Sequence, residues 1–449
     1  MGDLALNIAG SGLAASQAAM DVIAENLANT NTPGYVVESP DIVTTPGGDP
    51  LGIGDGVTTA GINQASDLLL ATNLQQAQGA QSLSAALEQV LQGVQATFPE
   101  PSSDGLAAQM SSFWQAWDNI AQNPSALAPR TEVIDLAQNL VSGFQQGASQ
   151  LSQLENNTQS QLTTVIGQTN TLLGQVAQLN QQIVAVQGAG APANSLIDQR
   201  NNLMNELSSN IGAVGRTMPD GTLTVAVGGI TLVQGSFADS LQVTGNAGSV
   251  SIQTVTSKAT LPPTGGTTAG LLGALNQYLP AFGAQLDTAA NDLISTVNTQ
   301  LAAGYTATGV SGSTEPLFTG SGAAGIGLNA AVVANPQLLA ASSTATLPDA
   351  SNDGGNAQAM AELQTSATGP DQAYQSFIES MGAQLQSVQS QVQAQTSVAN
   401  AAQENLQAVA GVNPDQQMVT MLTYQQSYQA SAKVVSTVQT MMQSLMDAV

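Results

Sequence analysis

Apolar residues recur at helical spacing over most of this chain. Leu6, Leu13, Met20 and Leu27 step by seven, with Ala9, Ser16 and Ile23 three residues further on, and no proline intervenes before Pro33. The spacing predicts an amphipathic helix with a narrow seam. Asn31-Thr32-Pro33-Gly34 ends it, since Pro lacks an amide proton and Gly permits turn dihedrals. Near the other end Met421, Tyr428, Val435, Met442 and Val449 also step by seven, with Tyr424, Ser431, Val438 and Leu445 between them, and no Pro or Gly follows Pro414. Each seam wants a partner. The economical partner is the other one, as a parallel or antiparallel pair, and because two helices bury little area alone, copies from neighbouring subunits are expected to supply the rest.

Two longer runs lie inside these ends. Leu162, Val165, Thr169, Leu172, Val176, Leu179, Ile183 and Val186 alternate spacings of three and four. So do Ile378, Met381, Leu385, Val388, Val392, Gln395, Ala399, Ala402, Leu406 and Val409. Such runs predict a long, rod-like helical bundle. Leu83-Leu87-Val90-Val94, the 106–122 stretch with Phe113, Trp114 and Trp117, and a segment over about 268–303 predict further helices beside it. Between 211 and 257 the period becomes two, as Leu223, Val225 and Val227 alternate with polar or small residues. Asp220-Gly221 and Gly228-Gly229 stand where two-residue hairpin turns are expected, so a small antiparallel β domain is predicted. Segments 262–267, 304–325 and 342–356 read as surface loops.

Composition narrows the chemistry. The 449 residues carry 5 Lys+Arg against 30 Asp+Glu, a net charge of −25. A nucleic-acid binder clusters its cations, whereas Arg130, Arg200, Arg216, Lys258 and Lys433 are scattered, and an anionic membrane surface is disfavoured by the same count. With no Cys and no His, thiol nucleophiles, Ser-His-Asp triads and zinc or haem ligation by those side chains drop out. Stability cannot depend on thiol oxidation, which suits a protein that moves from a reducing to an oxidising environment. No apolar stretch has the length of a membrane span, and the first ten residues lack the cation of a signal peptide.

The candidate sites are few. Asp349 with Asp353, and Glu100 with Asp104, read as solvated loop acids; the 349–354 stretch lacks calcium-loop spacing, and the glycines at 265–273 lack the Lys-Ser or Lys-Thr of a phosphate loop. Phe113, Trp114 and Trp117 are expected in the bundle core. Arg200, a rare cation, is expected in a structural ion pair with a helix-borne acid. No catalytic, cofactor or metal residue is assigned, and the chain is not read as an enzyme.

The blocks Ser11-Gly12-Leu13 and Asn26-Leu27-Ala28-Asn29-Thr30-Asn31-Thr32-Pro33-Gly34-Tyr35 are similar to the signature of the flagellar axial proteins. Asn194-Ser195-Leu196-Ile197-Asp198-Gln199-Arg200-Asn201-Asn202-Leu203, Glu206-Leu207-Ser208 and Leu232-Val233-Gln234-Gly235-Ser236 narrow the resemblance to the family of the hook–filament junction. Gly411-Val412-Asn413 and Tyr424 to Val435 fit it as well. The chain departs from the family at Val36 and Val37, where a hydroxyl residue and an Arg are usual. It also departs at Gln64 for a usual Arg, Pro414 for an aliphatic residue and Gln417 for an acid. These losses of charge put particular salt bridges between subunits in doubt.

The resemblance implies a mainly α, multidomain fold with an inserted small β domain. Residues 1–60 and 405–449 would form a terminal helical coiled coil, and 61–205, 265–304 and 327–404 an elongated helical bundle. The β domain would span 206–264 and a loop 305–326. It also implies a non-enzymatic adaptor that polymerises into a homo-oligomeric ring between hook and filament, with the flagellar hook protein, hook-associated protein 3 and an export chaperone as partners. Export would use the flagellar type III apparatus without signal cleavage, to the extracellular flagellum. No cofactor, nucleic acid or membrane insertion is implied. The expected self-assembly residues are Leu6, Leu13, Met20 and Leu27 against Met421, Tyr428, Val435, Met442 and Leu445. Two other readings stay open: another axial protein, or a secreted protein that binds a surface through its β domain.

Overall fold

The computed structural model describes residues 2–47, 54–246 and 248–447, apart from the side chain of Leu445. Helix α1 (Gly2–Ala28) is followed by an antiparallel hairpin of β1 (Glu38–Thr45) and β2 (Gly56–Gln64). Then come α2 (Leu68–Thr97), α3 (Leu106–Gln122), α4 (Leu127–Gly188) and α5 (Asn194–Ile211). The β domain holds β3 (Val214–Thr217), β4 (Leu223–Val227), β5 (Ile230–Gln234), β6 (Phe237–Ala238), β7 (Leu241–Thr244), β8 (Ser251–Thr254) and β9 (Thr260–Leu261). Beyond it lie α6 (Gly266–Gly273), α7 (Leu279–Ala302), β10 (Phe318–Thr319), α8 (Gly322–Gly325), β11 (Gly327–Leu328), α9 (Ala330–Ala334) and α10 (Gly355–Glu362). Two long helices, α11 (Pro370–Ala410) and α12 (Pro414–Met446), close the order. The fold is mainly α with a small inserted β domain.

At 62 residues, α4 reaches about 93 Å, from a rise of 1.5 Å per residue. Its first half packs in the bundle with α3, α7 and α8. Its second half, including the run from Leu162 to Ile183, carries α5 and the β domain. Two asparagines fasten the β domain there. Asn170 accepts from the Leu241 amide at 2.7 Å and donates to the same residue's carbonyl at 2.9 Å, so a side-chain amide completes a strand edge. Asn180, fully buried, does the same for Leu223 at 2.8 Å in each direction and also donates to the Gly235 carbonyl.

The bundle core gathers Phe113, Trp114 and Trp117 with Phe318, and Phe98 with Phe377 at 4.9 Å between rings. All three residues of the 113–117 cluster are buried, as their helical spacing predicts. The Trp114 indole N–H donates to Asp371 at 2.7 Å, which satisfies the polar edge of a buried ring. Helices α2 and α11 run antiparallel, since Gln81 bonds Thr396 while Phe98 stacks on Phe377.

Three local expectations change. The helix over 268–303 is interrupted by a π turn at Ala274–Tyr278 just before Pro280, whose missing amide forfeits one helical bond. Gly228 and Gly229, both at positive φ, make the predicted two-residue turn between β4 and β5. The turn at Asp220-Gly221 is longer, because Thr217 pairs with Leu223 and Asp220 instead caps the Thr222 amide and hydroxyl. Finally, 305–326 is more than a surface loop: Leu317, Phe318, Ala323 and Ile326 are buried in the bundle core. Its turn residues dominate the sequence signal while a few apolar side chains anchor it.

Candidate functional site

Helices α1 and α12 pair with each other, and the pairing is antiparallel: Gly12 faces Ser431, and the Asn26 amide bonds the Gln417 side chain at 3.2 Å. The buried face of α1 is made of small and β-branched residues, Ala9, Ala15, Ser16, Ala19, Val22 and Ile23. Small side chains let the two backbones approach: a Cβ on Gly12 would already touch the Ser431 hydroxyl at 3.1 Å. The hairpin covers a second side of α1, where the Val57 amide donates to the Ser11 hydroxyl at 3.2 Å. Leu6, Leu13, Met20 and Leu27 lie on the remaining flank, and all four stay half-buried.

On α12, Met421, Tyr424, Ser431 and Val435 are half-buried and Val438 is buried. Tyr428 and Met442 are exposed instead, beside Met418, Val419, Leu422, Val434, Met441 and Met446. The side chain of Leu445 and the whole of Val449 lie outside the described residues. The seven-residue step therefore finds the two pairing helices, while the packed stripe falls on the intermediate positions. Val419 at 65% and Leu422 at 55% exposure mark a face of α12 that no part of this chain covers among the described residues.

Beneath the pair, the turn after α1 is organised by Asn26. Its amide is fully buried and uses all four of its hydrogen-bonding positions. It donates to the Glu38 carbonyl at 2.8 Å and to Gln417, and accepts from the Tyr35 hydroxyl and the Glu38 amide, each at 2.9 Å. Thr30 closes the helix by donating to the Leu27 carbonyl at 2.9 Å. Gly34 sits at a φ of +76°, and a Cβ there would strike the Asn202 amide, so the turn both needs a left-handed residue and lies directly on α5.

Helix α5 joins the terminal pair to the rest. Asn194, Asp198 and Asn202, four residues apart on one face, meet the hairpin and turn: Asn194 donates to the Ile62 carbonyl at 3.1 Å and Asn202 to the Pro33 carbonyl at 3.3 Å. Asp198 accepts from the Val36 amide at 3.4 Å and from Gln64 Nε2 at 2.9 Å. One backbone bond, Val37 N–H to the Ala410 carbonyl at 2.9 Å, ties the same junction to the end of α11.

The junction is acidic. Burial, chiefly, pushes Asp198 up to about 6. Burial likewise raises Glu38 and, with help from Glu38, Glu25 and Asp198, the Tyr35 hydroxyl. Arg200 turns to the opposite side of α5, donating to Asn180 Oδ1 at 3.1 Å and to the Gly221 carbonyl at 2.7 Å. The expected ion pair is thus replaced by neutral oxygens, and burial lowers the guanidinium to about 10. The physical reason is placement: the helix-borne acid nearest in sequence, Asp198, lies two residues away and faces the hairpin and turn instead. Arg130 behaves alike, bonding the Leu339 and Pro124 carbonyls.

Among the described residues no group of three or more metal-ligating side chains converges, and no helix is long and apolar enough to cross a membrane. Asp353 is instead held by the Ser342 and Ser343 hydroxyls and the Ser343 and Gly355 amides. Asn26 and Asn202 are the working residues that seam-counting overlooks; the signal for both was their place in the quoted motif blocks.

Comparison with known proteins agrees with this layout. A rod-protein profile, flagella basal body rod protein, matches residues 6–35, and the C-terminal profile of the flagellar basal body rod FlgEFG proteins matches 409–448. Flagellar hook-associated protein 1 of Salmonella typhimurium is 30% identical over 243 residues, 53% of this chain and 43% of that protein. The match thus spans less than half of that relative's length. The Bacillus subtilis protein of the same name is 24% identical over 489 residues, covering 96% of each chain. The fold resembles the flagellar hook junction protein FlgK from Burkholderia pseudomallei, with a TM-score of 0.64 at 18% identity over 75% of this chain and 100% of that one. The profile of the flagellar hook-associated protein FlgK helical domain matches residues 91–318, more than half of the chain, and the chain belongs to the flagellar hook-associated protein FlgK family.

Proposed function

We propose that this protein is a non-enzymatic structural adaptor that polymerises through α1 and α12 into a homo-oligomeric ring joining hook and filament on the extracellular flagellum. The carrying observation is the row of exposed apolar side chains on α12, from Met418 to Met446, beside a half-buried Leu6-Leu13-Met20-Leu27 flank on α1. In water such a face is unfavourable, and each fully buried apolar side chain contributes roughly 1.5–3 kcal/mol. A handful buried against the same helices of a neighbour is enough to decide assembly. The self-assembly set is therefore Leu6, Leu13, Met20, Leu27, Met421, Tyr428, Val435, Met442 and Leu445, to which the structure adds Met418, Val419 and Leu422 as candidates. The hook protein, hook-associated protein 3 and an export chaperone are the proposed partners, following the family.

The test is Leu422→Asp. The side chain is exposed, so the monomer should keep its thermal unfolding curve while incorporation into flagella and swimming are lost. A motile Leu422→Asp strain with junctions of normal composition would sink the assignment of this face.

A further inference from the structure

Away from the assembly face, Asp198 is a carboxylate poorly matched to its surroundings. It is 8% exposed, trapped between the terminal pair and the bundle, and its two hydrogen bonds come from neutral donors, the Val36 amide and Gln64 Nε2. The elements packed around it bring further acids: Tyr35 from the turn, Glu38 from β1 and Glu25 from α1. Gln64 on β2 is uncharged, and Arg200 on the same helix bonds Asn180 and Gly221 instead. Glu38 stands directly opposite Gln64 in the β1–β2 register, beside the amide that serves Asp198. A single glutamine therefore stands between two carboxylates at the domain junction, and among the described residues no cation bonds either. Burial chiefly raises both, and the Glu38 charge adds to the rise at Asp198.

We propose that Asp198 and Glu38 form a proton-operated clasp between the terminal helical pair and the helical bundle, closed when the pair holds a proton and loosened when both carboxyls are ionised. Protonation from solvent removes the like-charge repulsion and the cost of burying an uncompensated carboxylate. The docked carboxyl binds its proton more tightly than the same group in an undocked chain, so docking and protonation reinforce each other. Docking is complete below the ordinary carboxylate range near 4, weakens as the pH rises towards about 6, and changes little above it. Each pKa unit is tenfold, so the docking constant falls roughly 100-fold across that window. The clasp lies within one chain and stands whether or not α12 is the assembly face.

The chain has no cysteine, so two can be introduced for spin labels in the full-length monomer, Thr44→Cys on the exposed side of β1 and Gln182→Cys on α4. Their distance distribution is measured by pulsed dipolar spectroscopy at about pH 3.5 and about pH 7.5, on either side of the expected transition. A narrow distribution in acid that broadens at the higher pH, with the open population rising more than tenfold, is expected. Asp198→Asn should stay narrow at both, and so should Gln64→Arg, whose guanidinium would hold the ionised pair. If Asp198→Asn does not fold, Glu38→Gln supplies the same comparison. An unchanged distribution in the parent protein, or a neutral variant that keeps the full pH response, overturns the clasp.

Discussion

Where α2 meets α11, aromatic and branched side chains interlock: Leu91 and Val94 are fully buried, and Phe98 stacks edge-on against Phe377. Where α1 meets α12, the contact is made by alanines, serines, valines and one isoleucine, and apolar side chains remain outside it. Both pairs are antiparallel and both are written in heptads. What separates them is the number of neighbours: α11 is packed by α2, α7 and α3, whereas α12 meets mainly α1. A heptad reports that a helix has an apolar stripe, and the fold decides whether that stripe is satisfied within the chain. Burial along α11 shows the passage between the two cases. Met381, Leu385 and Val388 are buried, Val392 and Leu406 half-buried, and Val409 exposed next to the junction.

The contrast can be broken hardest in the bundle. Trp114→Ala should cost about 3–5 kcal/mol, from lost burial and a cavity, and leave the Asp371 carboxylate without its donor. Urea unfolding of the purified protein reads it, and a loss under about 1 kcal/mol would mean the bundle core is not the stabilising centre. A smaller and more local effect is expected at the junction. Asn26→Ala leaves the Tyr35 hydroxyl and the Glu38 amide without partners, at about 1–3 kcal/mol, felt as faster amide exchange over residues 29–38 with protection in α4 unchanged.

Acid separates the regions in another way. Burial opposes ionisation of Asp353, but the Ser343, Ser342 and Gly355 donors outweigh it and hold the carboxyl at about 2. Its contribution to the 342–355 loop is therefore present above the ordinary carboxylate range and lost only as the pH falls through about 2. Exchange in that loop, corrected for its intrinsic pH dependence, should quicken only as the pH falls towards about 2. The smallest effect is predicted on α12: Met418→Gln and Val419→Gln should each move monomer stability by no more than about 0.5 kcal/mol, seen as superimposed melting curves.

Much of the candidate site was legible from residue spacing. Periodicity located α3 to its ends and most of α1, α11 and α12, and the run of turn residues at 31–34 placed the end of α1. Strands β1 and β2 carry no period-two alternation, and Pro40 and Asp41 disguise β1; they form because α1 offers them a surface. Arg200 stood out as a rare cation, but its partner could not be read, because a backbone carbonyl at Gly221 carries no signature in sequence. The role of Asn26 was hidden for a similar reason: its four partners lie on the turn, on β1 and on α12, brought together only by the fold.

The sequence alone determined that the long heptad runs are helical, that the two ends carry matching apolar stripes, that a small β domain interrupts the helices, and that Cys and His chemistry is absent. These are local properties, written in spacing and composition. Only the tertiary structure decided that the terminal helices run antiparallel, that α4 lends its second half to the β domain, and that Asp198 is buried without a cation. Each of those depends on which surfaces meet across tens to hundreds of residues, and burial of a polar group is a property of its neighbours rather than of its own position in the chain.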